Sequence, residues 1–439
     1  MSELDGMDQV IAAARPRAVA ALLRYFRDLD AAEEAFQEAC LRALKSWPQN
    51  GPPRDAAAWL IMVGRNAGID GARRQSRTQA LPDEADISDP NADWDAEEAL
   101  ADRLDGEHYR DDILRLLFIC CHPDLPAVQQ VALALRVVSG LSVRQIARAF
   151  VVSEAAMEQR ITRAKGKISE ANRRGDSRFE APGAIERAER LAAVAAMVYL
   201  VFNEGYSAPD PLEAEGPRGA LCDEAIRLGR LLLRLFPAEP EIMGLTALML
   251  LQHARLKARF DPEGQVVLLE KQDRAAWNRP MIAEGLALID KAMRHRRPGP
   301  YLVQAAIAAL HARAPSWEET DWLEIEALYA SLEVLAPSPV VTLNRAVAAM
   351  RIRGAAEALA MIEPLAGRLG GYFNFHGMRG ALLLELGRGA EAREAFGRAI
   401  ALAATPAEAA FIRERLDALA EGVPHQLSRD SGPTSLTQR

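Results

Sequence analysis

The chain has few cysteines and no long apolar run. Only four cysteines occur in 439 residues, and the adjacent pair Cys120 and Cys121 does not have the spacing of a disulfide framework. The cysteine usage therefore predicts reduced thiols in a cytoplasmic protein. Ligands crowded on one helical turn, as in the "CCH" of residues 120–122, rarely converge on a metal ion without partners elsewhere, so we expect no metal and no cofactor. The longest apolar run, residues 191–202, is too short to span a bilayer.

Groups suited to covalent chemistry are also scarce. The seven histidines are scattered, and none is paired at ligand spacing. The chain shows no nucleophile–base pair, no metal cluster and no glycine loop of the kind that cradles phosphate. An enzyme using Glu204 as acid or base is one alternative, but the residues favour a protein that is not an enzyme.

Basic residues are missing from one stretch, and this accounts for the acidic balance of the chain. Between Asp83 and Glu98 there are eight acidic residues and no basic one, which equals the whole net charge of −8. This stretch contains a proline and lacks apolar periodicity, so residues 81–105 are predicted to be a flexible linker. From Arg136 to Arg174, nine basic residues face three acidic ones. That local excess is typical of a phosphate-binding face.

Residues 142–168 have the pattern of a helix-turn-helix. Ser142 with Gln145 is a capping-box pattern, and Ser153 is placed to cap a second helix after a short turn. The second helix has an apolar stripe formed by Met157, Ile161, Ala164 and Ile168. Its other faces carry donors that can reach bases and phosphates, namely Gln159, Arg160, Thr162, Arg163, Lys165 and Lys167. An ordinary solvated helix is the alternative, but it would not require caps, turn and stripe to agree.

The N-terminal segment carries a second candidate surface. Residues 28–47 predict an amphipathic helix with an acidic first half, followed by a loop from Pro48 to Asp55 and another helix. One face of that helix mixes aromatic, amide and arginine groups, which suits melted DNA. This face comprises Trp59, Asn66, Asp70, Arg73, Arg74 and Arg77. Taken alone, the aromatic residue fits a core position equally well.

The acidic amphipathic helix, the mixed-face helix, the acidic linker and the helix-turn-helix follow one another along the chain. Taken in this order, they resemble bacterial sigma factors of the sigma-70 family, in the extracytoplasmic-function group. The resemblance rests on "DAAEEAFQEACLRA", "WL…RN..ID..RR" and "R..RAK", and covers residues 10–172. It implies an all-α fold with sigma region 2 at residues 10–80, the acidic linker at 81–105 and sigma region 4 at 106–172. The linker would occupy a positively lined polymerase channel or would only be a solvated spacer, and both interpretations remain open.

The resemblance also assigns partners, core RNA polymerase and promoter DNA. The helix at residues 28–47 would dock on the β′ clamp helices through the exposed residues Asp30, Glu33, Glu34, Gln37 and Glu38. The β flap would be a further polymerase contact. The 48–55 loop and the mixed helix face would capture the minus-ten element, and residues 154–167 would read the minus-thirty-five element. Glu158 stands where the family often has a basic residue, which leaves the promoter sequence open.

Residues 184–420 predict helix after helix with an internal repeat. Gly354 corresponds to Gly387, and "AAEAL" at 355–359 to "GAEAR" at 389–393, at separations of 33 and 34 residues. This period is typical of tetratricopeptide repeats, which stack into a solenoid whose concave face usually binds a peptide or protein. A scaffold without such a partner is the alternative. The tail at residues 421–439 is polar and predicted to be disordered.

A candidate regulatory pocket lies in the first part of this half. Charged groups beside apolar helices suggest buried ion pairs or a pocket made by Asn203, Glu204, Tyr206, Arg255, Asp273 and Arg274. "FNEGY", "QDR..W" and "PSPVV.LNRAVA" resemble the C-terminal extension of one sigma subgroup, which implies a built-in regulatory domain. The interpretation is therefore a cytoplasmic sigma factor without membrane segments. The alternative is an activator with a peptide-sensing repeat domain, which would have no use for the clamp-binding helix.

Overall fold

The computed structural model describes a helical chain, which confirms the all-α prediction for the residues it covers: 3–76, 106–122, 124–150, 152–174, 184–206, 219–262, 267–403 and 406–420. The chain divides into two compact units. The first comprises Met1–Ala208 with Glu215–Leu235, and the second comprises Pro209–Ala214 with Phe236–Arg439. None of the described helices has both the length and the apolar character needed to cross a membrane.

The first unit begins with three mutually packed helices and continues with the helix-turn-helix. In chain order, its described helices are α1 (Glu3–Phe26), α2 (Leu29–Asn50), α3 (Ala56–Ser76), α4 (Gly106–Cys120), α5 (Ala127–Val137), α6 (Val143–Ala149), α7 (Glu154–Arg173), α8 (Ala184–Tyr206) and α9 (Gly219–Leu235).

Small residues let α3 pack closely against its two predecessors. A Cβ atom added to Gly64 would lie 2.9 Å from the carbonyl oxygen of Ala35, and one added to Gly68 would lie 2.3 Å from the ring of Phe26. A larger residue at position 64 would push α3 away from the backbone of α2, and one at position 68 would have to displace the Phe26 ring. Trp47 of α2 and Trp59 of α3 meet edge to face at 5.4 Å and close this core.

The loop predicted from Pro48 to Asp55 is shorter in the structure. Helix α2 continues through Pro48 to Asn50, and the chain turns at Gly51, whose φ is 76°. Proline has a helical φ, but within a helix it lacks the N–H that would bond to the carbonyl of Leu44, and its ring crowds that carbonyl. Gly51 then donates its N–H to the carbonyl of Trp47 at 2.8 Å and ends the helix.

The division at residue 236 differs from the domain boundary expected at 184. Helix α8 packs against α4 and α5, and α9 packs against α8. The residues that bury this face include Val194, Val198 and Phe202, each fully shielded from solvent. Burying this apolar surface against α4, α5 and α9 ties α8 and α9 to the first unit.

The "CCH" stretch has structural roles at the end of α4. Cys120 and Cys121 are buried, and burial raises the pKa of Cys121 to about 12, so its thiol stays protonated at neutral pH. His122 accepts the backbone N–H of Asp124 at 3.1 Å through Nδ1. Within the described ranges, no group of three or more potential ligand side chains is placed to hold a metal ion.

The second unit is a succession of helix pairs. Its described helices are α10 (Pro240–His253), α11 (Arg279–Met293), α12 (Pro300–Arg313), α13 (Trp322–Leu335), α14 (Pro339–Arg353), α15 (Ala355–Ile362), α16 (Ala366–Leu369), α17 (Phe373–Glu385), α18 (Gly389–Leu402) and α19 (Pro406–Ala420). Helices α14 and α17 begin 34 residues apart, at Pro339 and Phe373, as do α15 and α18, at Ala355 and Gly389. The period seen in the sequence is thus also a period of helix starts.

An aromatic cluster joins α12 to α13. The ring of His311 stacks on Trp317 at 6.0 Å and meets Trp322 edge to face at 5.4 Å. Burial lowers the pKa of His311 to about 4, with smaller contributions from the positive charges of Arg255 and Arg274. The imidazole is therefore neutral at pH 7.

This burial should make the second unit less stable in mild acid. An unfolded histidine binds a proton below a pH of about 6.5, whereas folded His311 resists protonation until a pH of about 4. Neutral His311 therefore contributes to the free energy of unfolding above the unfolded pKa. This contribution is lost as the pH falls from about 6.5 to about 4, and it amounts to on the order of 3 kcal/mol in total. We expect the variant His311→Gln to lack this pH-dependent part of the free energy of unfolding.

Urea unfolding of the full chain, followed by tryptophan fluorescence at several pH values from 7 to 4.5, measures the difference. At pH 7 the variant should be the less stable protein, because it loses the ring contacts. The difference in free energy of unfolding between the two proteins should become smaller as the pH falls. Parallel stability curves for the two proteins would contradict the account.

Candidate functional site

The helix-turn-helix forms as the capping pattern predicts. Ser142 Oγ accepts the N–H of Gln145 at 3.2 Å, and the Gln145 side chain accepts the N–H of Ser142 at 2.8 Å. Ser153 Oγ accepts the N–H of Ala156 at 3.2 Å and begins α7. Between the helices, the N–H of Val152 donates to the carbonyl of Ala147 at 3.0 Å. Both helix starts are fixed locally, so the orientation of α7 depends on its buried side.

Helix α7 is anchored along the predicted apolar stripe. Met157, Ile161, Ala164 and Ile168 are all buried. Gln159, Thr162, Arg163 and Lys167 are exposed, while Arg160 and Lys165 are partly buried. The amine of Lys167 donates to the carbonyl of Asp124 at 3.0 Å, within the same region of the chain. An anchored helix with exposed long donors is the arrangement that a groove-reading helix requires.

Helix α2 presents an acidic face with apolar members. Asp28 caps the helix by accepting the N–H of Ala31 at 2.9 Å. Four of the five predicted docking residues are exposed: Asp30, Glu34, Gln37 and Glu38. Leu41 and Leu44 are also exposed on this helix, and the sequence analysis missed them. The signal that could have found them is their position off the buried stripe of the helix.

Glu33 is an exception, and its predicted exposure is wrong. Its side chain is only 5% exposed and accepts from Arg15 Nη2 at 3.1 Å. Its second oxygen lies 2.6 Å from Lys165 Nζ, and that amine also lies 2.7 Å from Asp30 Oδ1. Burial opposes the charge on Lys165, but Glu33 together with hydrogen bonds to both carboxylates raises the pKa of Lys165 above its usual value. The ammonium group is charged at neutral pH and bridges α7 to α2.

Arg15 is a second residue that the sequence analysis missed. It stands on α1 in an alanine-rich segment, and its guanidinium lies over the ring of Phe36 at 4.8 Å. Besides Glu33, it donates to the carbonyls of Val137 at 3.0 Å and Arg136 at 3.2 Å, at the end of α5. An arginine among so many alanines was the available signal, but its carbonyl partners at the end of α5 are more than a hundred positions away.

Further contacts join the first three helices to α4–α7. Helix α1 packs against α4. Arg24 Nη1 lies 3.3 Å from Asp112 Oδ2, and the Asn172 side chain donates to the carbonyl of Arg27 at 2.5 Å. The N-terminal helices and the helix-turn-helix therefore touch directly.

The predicted melted-strand face is only partly described. Trp59 is a core residue, 4% exposed, so its predicted contact with unpaired bases is wrong for this conformation: it packs on Trp47 instead. Asn66 is partly exposed near the middle of α3. The side chains of Asp70, Arg73 and Arg74 in the last turns of α3 lie outside the described part of the chain, as does all of Arg77.

An exposed aromatic side chain that the sequence analysis missed lies beside Arg65, the residue that precedes Asn66. Tyr25 of α1 is 52% exposed. The guanidinium of Arg65 lies 5.8 Å from the centre of its ring. An aromatic ring beside a cation is a pair that can stack on a base.

The six residues of the predicted regulatory pocket divide between the two units. Asn203, Glu204 and Tyr206 end α8 in the first unit. In the second unit, Asp273 caps a short 3₁₀ turn at the N–H of Ala275, 2.8 Å away. Arg255 and Arg274 lie against the ring of Trp277, at 5.9 and 5.2 Å from its centre.

Arg274 also closes the end of α12. Its guanidinium donates to the carbonyls of His311 at 2.5 Å and Ala314 at 2.7 Å. Arg274 is buried, and these carbonyls provide its acceptors, so its described role is to join segments within the second unit.

Comparisons with known proteins match three parts of the chain. Residues 10–78 match sigma-70 region 2, and residues 115–168 match sigma-70 region 4. Residues 190–293 match a family of unknown function, DUF6596, which covers helices of both units. An uncharacterized protein of Rhizobium meliloti (strain 1021) is 68% identical over 420 residues, which make up 96% of this chain and 97% of the relative.

The exposure of Arg163 on α7 yields a test of the groove-reading role. We expect Arg163→Ala to lower the promoter affinity of the RNA polymerase complex that contains this chain. The loss of one base contact should weaken binding roughly 5- to 150-fold. Polymerase binding without DNA should be unchanged. The promoters can be defined by sequencing the 5′ ends of RNA made on genomic DNA by core RNA polymerase with this chain.

Arg393→Ala is the matched control, since Arg393 is an exposed arginine on α18 in the second unit. It removes the same charge and should leave promoter binding as in the unaltered chain. Equal losses of promoter and polymerase binding in Arg163→Ala would contradict the groove-reading role.

Proposed function

The chain belongs to the sigma-70 family, and we propose that it is an extracytoplasmic-function sigma factor whose C-terminal half regulates its activity. As a sigma factor, it directs promoter-specific transcription. The sigma-70 family is not a family of enzymes, and the bond-forming chemistry is that of RNA polymerase. The observation that carries the assignment is the order of the two matched regions, region 2 before region 4, over helices with the capped and anchored geometry described above.

The proposed roles of the surfaces follow from their chemistry. The acidic and apolar face of α2, with Glu34, Glu38 and Leu41, suits a basic and apolar helical partner, and we assign it to core polymerase. The donors of α7 suit the phosphates and base edges of the minus-thirty-five element. Asn66 with the Tyr25–Arg65 pair suits unpaired bases of the minus-ten element.

The regulatory role of the second unit rests on its repeated helix pairs. The 34-residue spacing of helix starts supports a tetratricopeptide-like solenoid. Helix α13 also exposes Leu323 and Val334, at 69% and 82% of their full surface, eleven residues apart and so on one face. Exposed apolar residues aligned on one helix favour a peptide or protein partner. We propose that such a partner acts on this unit to change sigma activity.

Shortening the chain at the boundary between the units tests this role. The cut belongs after Leu235 rather than near residue 174, because α8 and α9 cover apolar surface of the first unit. We expect the 1–235 chain to bind core polymerase, and its promoter-dependent transcription to differ from that of the full chain by at least about fivefold in either direction, the size of a typical regulatory coupling.

A chain ending at residue 420 is the matched control, because it loses only the terminal residues. Its transcription should equal that of the full chain. Identical transcription by all three chains, with no partner found for the second unit, would contradict a regulatory role. Failure of the full chain to bind core polymerase would instead contradict the polymerase-binding assignment and favour the activator alternative.

A further inference from the structure

The second unit carries a strongly basic turn in a chain that is acidic overall. At the junction of α11 and α12, residues 291–297 read "KAMRHRR", with four basic residues and no acidic one. Lys291, Arg294, Arg296 and Arg297 are all exposed. Within the described ranges, none of these four side chains forms an ion pair or a hydrogen bond. Residues 291–297, the basic turn, therefore offer four positive charges to a partner.

Two carboxylates close to the basic turn already have partners. Asp290 Oδ1 lies 3.5 Å from Nη2 of Arg313, the last residue of α12. Glu241 lies beside Gly299, where it accepts the N–H groups of Tyr301 at 3.0 Å and Leu302 at 3.1 Å. The charge of Glu241 is therefore set against the positive N-terminal end of α12.

The backbone of the basic turn holds one arginine in an unusual conformation. The N–H of His295 donates to the carbonyl of Ala292 at 3.0 Å, and the N–H of Arg296 donates to the carbonyl of Met293 at 3.1 Å. Arg296 has a φ of 53°, in the left-handed region where glycine or asparagine is the usual residue. An arginine in this conformation costs backbone strain, and such strain is concentrated at functional sites.

Helix stabilisation accounts for only part of this charge. Cations at the C-terminal end of a helix interact favourably with its negative end, which gives Lys291 and Arg294 a structural benefit. That effect falls off within one turn, and Arg296 and Arg297 lie beyond the end of α11 at Met293. A binding role accounts for all four residues.

The composition of the basic turn favours phosphate groups of DNA over a protein partner. Interfaces with DNA are much more positive than interfaces between proteins, whose centres are apolar or aromatic. Met293, which is 56% exposed, is the only large apolar residue of the turn. Three of the four cations are arginines, whose planar guanidinium groups bind phosphate oxygens in pairs.

We propose that the basic turn binds the phosphate backbone of duplex DNA upstream of the minus-thirty-five element, as a third DNA contact of the chain. The second unit follows region 4 in the chain, and the duplex beyond the minus-thirty-five element is not claimed by region 2 or region 4. Phosphate contacts carry no sequence information, so this surface adds affinity rather than promoter choice. This inference rests on the proposed DNA-binding role of region 4 and is independent of the proposed regulation.

Two promoter fragments of different upstream length test the contact. One ends at the upstream edge of the minus-thirty-five element, and the other extends about 40 base pairs further, or roughly four turns of duplex. Fluorescence anisotropy with the complex of core RNA polymerase and the full chain gives the dissociation constants of both fragments at several salt concentrations. We expect the longer fragment to bind more tightly and with a steeper salt dependence.

A triple variant with Arg294→Gln, Arg296→Gln and Arg297→Gln removes three charges and keeps the side chains polar. It should weaken binding of the longer fragment about tenfold, and lower the slope of log affinity against log salt by about 0.9 for each lost phosphate contact. Affinity for the shorter fragment should be unchanged. Hydroxyl-radical footprinting should show that the variant no longer protects the upstream DNA backbone.

A second triple variant makes the same charge change elsewhere in the second unit. It combines Arg393→Gln, Arg398→Gln and Arg413→Gln, which alter exposed arginines of α18 and α19. Both fragments should bind this complex as they bind the complex with the unaltered chain. Equal losses with the two triple variants would show an effect of net charge alone and would overturn the proposed site.

The variant Arg296→Gly separates binding from folding. Glycine adopts a φ of 53° without strain, so the full-length variant should resist urea about as well as the unaltered chain. Its affinity for the longer fragment should be lower, because one phosphate contact is lost. Lower stability together with unchanged affinity would assign Arg296 to the fold and overturn the proposal.

The outcomes distinguish this inference from the proposed function. Unchanged affinity of the first triple variant for the longer fragment would overturn the upstream contact while leaving the sigma role intact. Weaker binding of that variant to core polymerase without DNA would assign the basic turn to an acidic protein surface, and would also overturn the DNA contact. Failure of the complex with the unaltered chain to bind either fragment would contradict the proposed function itself.

Discussion

The arrangement of the first unit depends on a buried carboxylate. Glu33 has almost no access to water, and a buried charge without partners costs several kcal/mol. One partner, Arg15, comes from α1 and the other, Lys165, comes from α7. Arg15 also donates to the end of α5, where helix carbonyls lack intrahelical donors. The same few charges therefore bond the helices of region 2 to one another and, together with the packing of α1 on α4, hold region 4 against them.

Local signals in the sequence predicted helices and caps well, because their causes are local. The capping box at Ser142, the cap at Ser153 and the buried stripe of α7 all depend on residues within a few positions of one another. The all-α class and the helix-turn-helix followed from these patterns. Pro48 was misjudged because proline ends helices on average, whereas here the helix continues for two residues beyond it before Gly51 stops the chain.

The errors at the candidate site have a different cause, since they concern tertiary neighbours. Trp59 shares a helix face with Asn66, but only the folded core shows that Trp47 occupies the space in front of it. Glu33 belongs to an acidic helix half like its neighbour Glu34, yet its partners stand 18 and 132 positions away. Composition and periodicity carry no information on such pairings. The division after Leu235 was hidden for the same reason, because it depends on what α8 packs against.

The choice of lysine at position 165 suits a contact that changes partners. An ammonium group is a compact point charge without a fixed fork, so it binds two carboxylate oxygens or two phosphate oxygens with little preference between them. The bridge and a DNA phosphate would therefore compete for the same three donors. A phosphate that bound Lys165 would thus take this partner from Asp30, whereas Glu33 would keep Arg15.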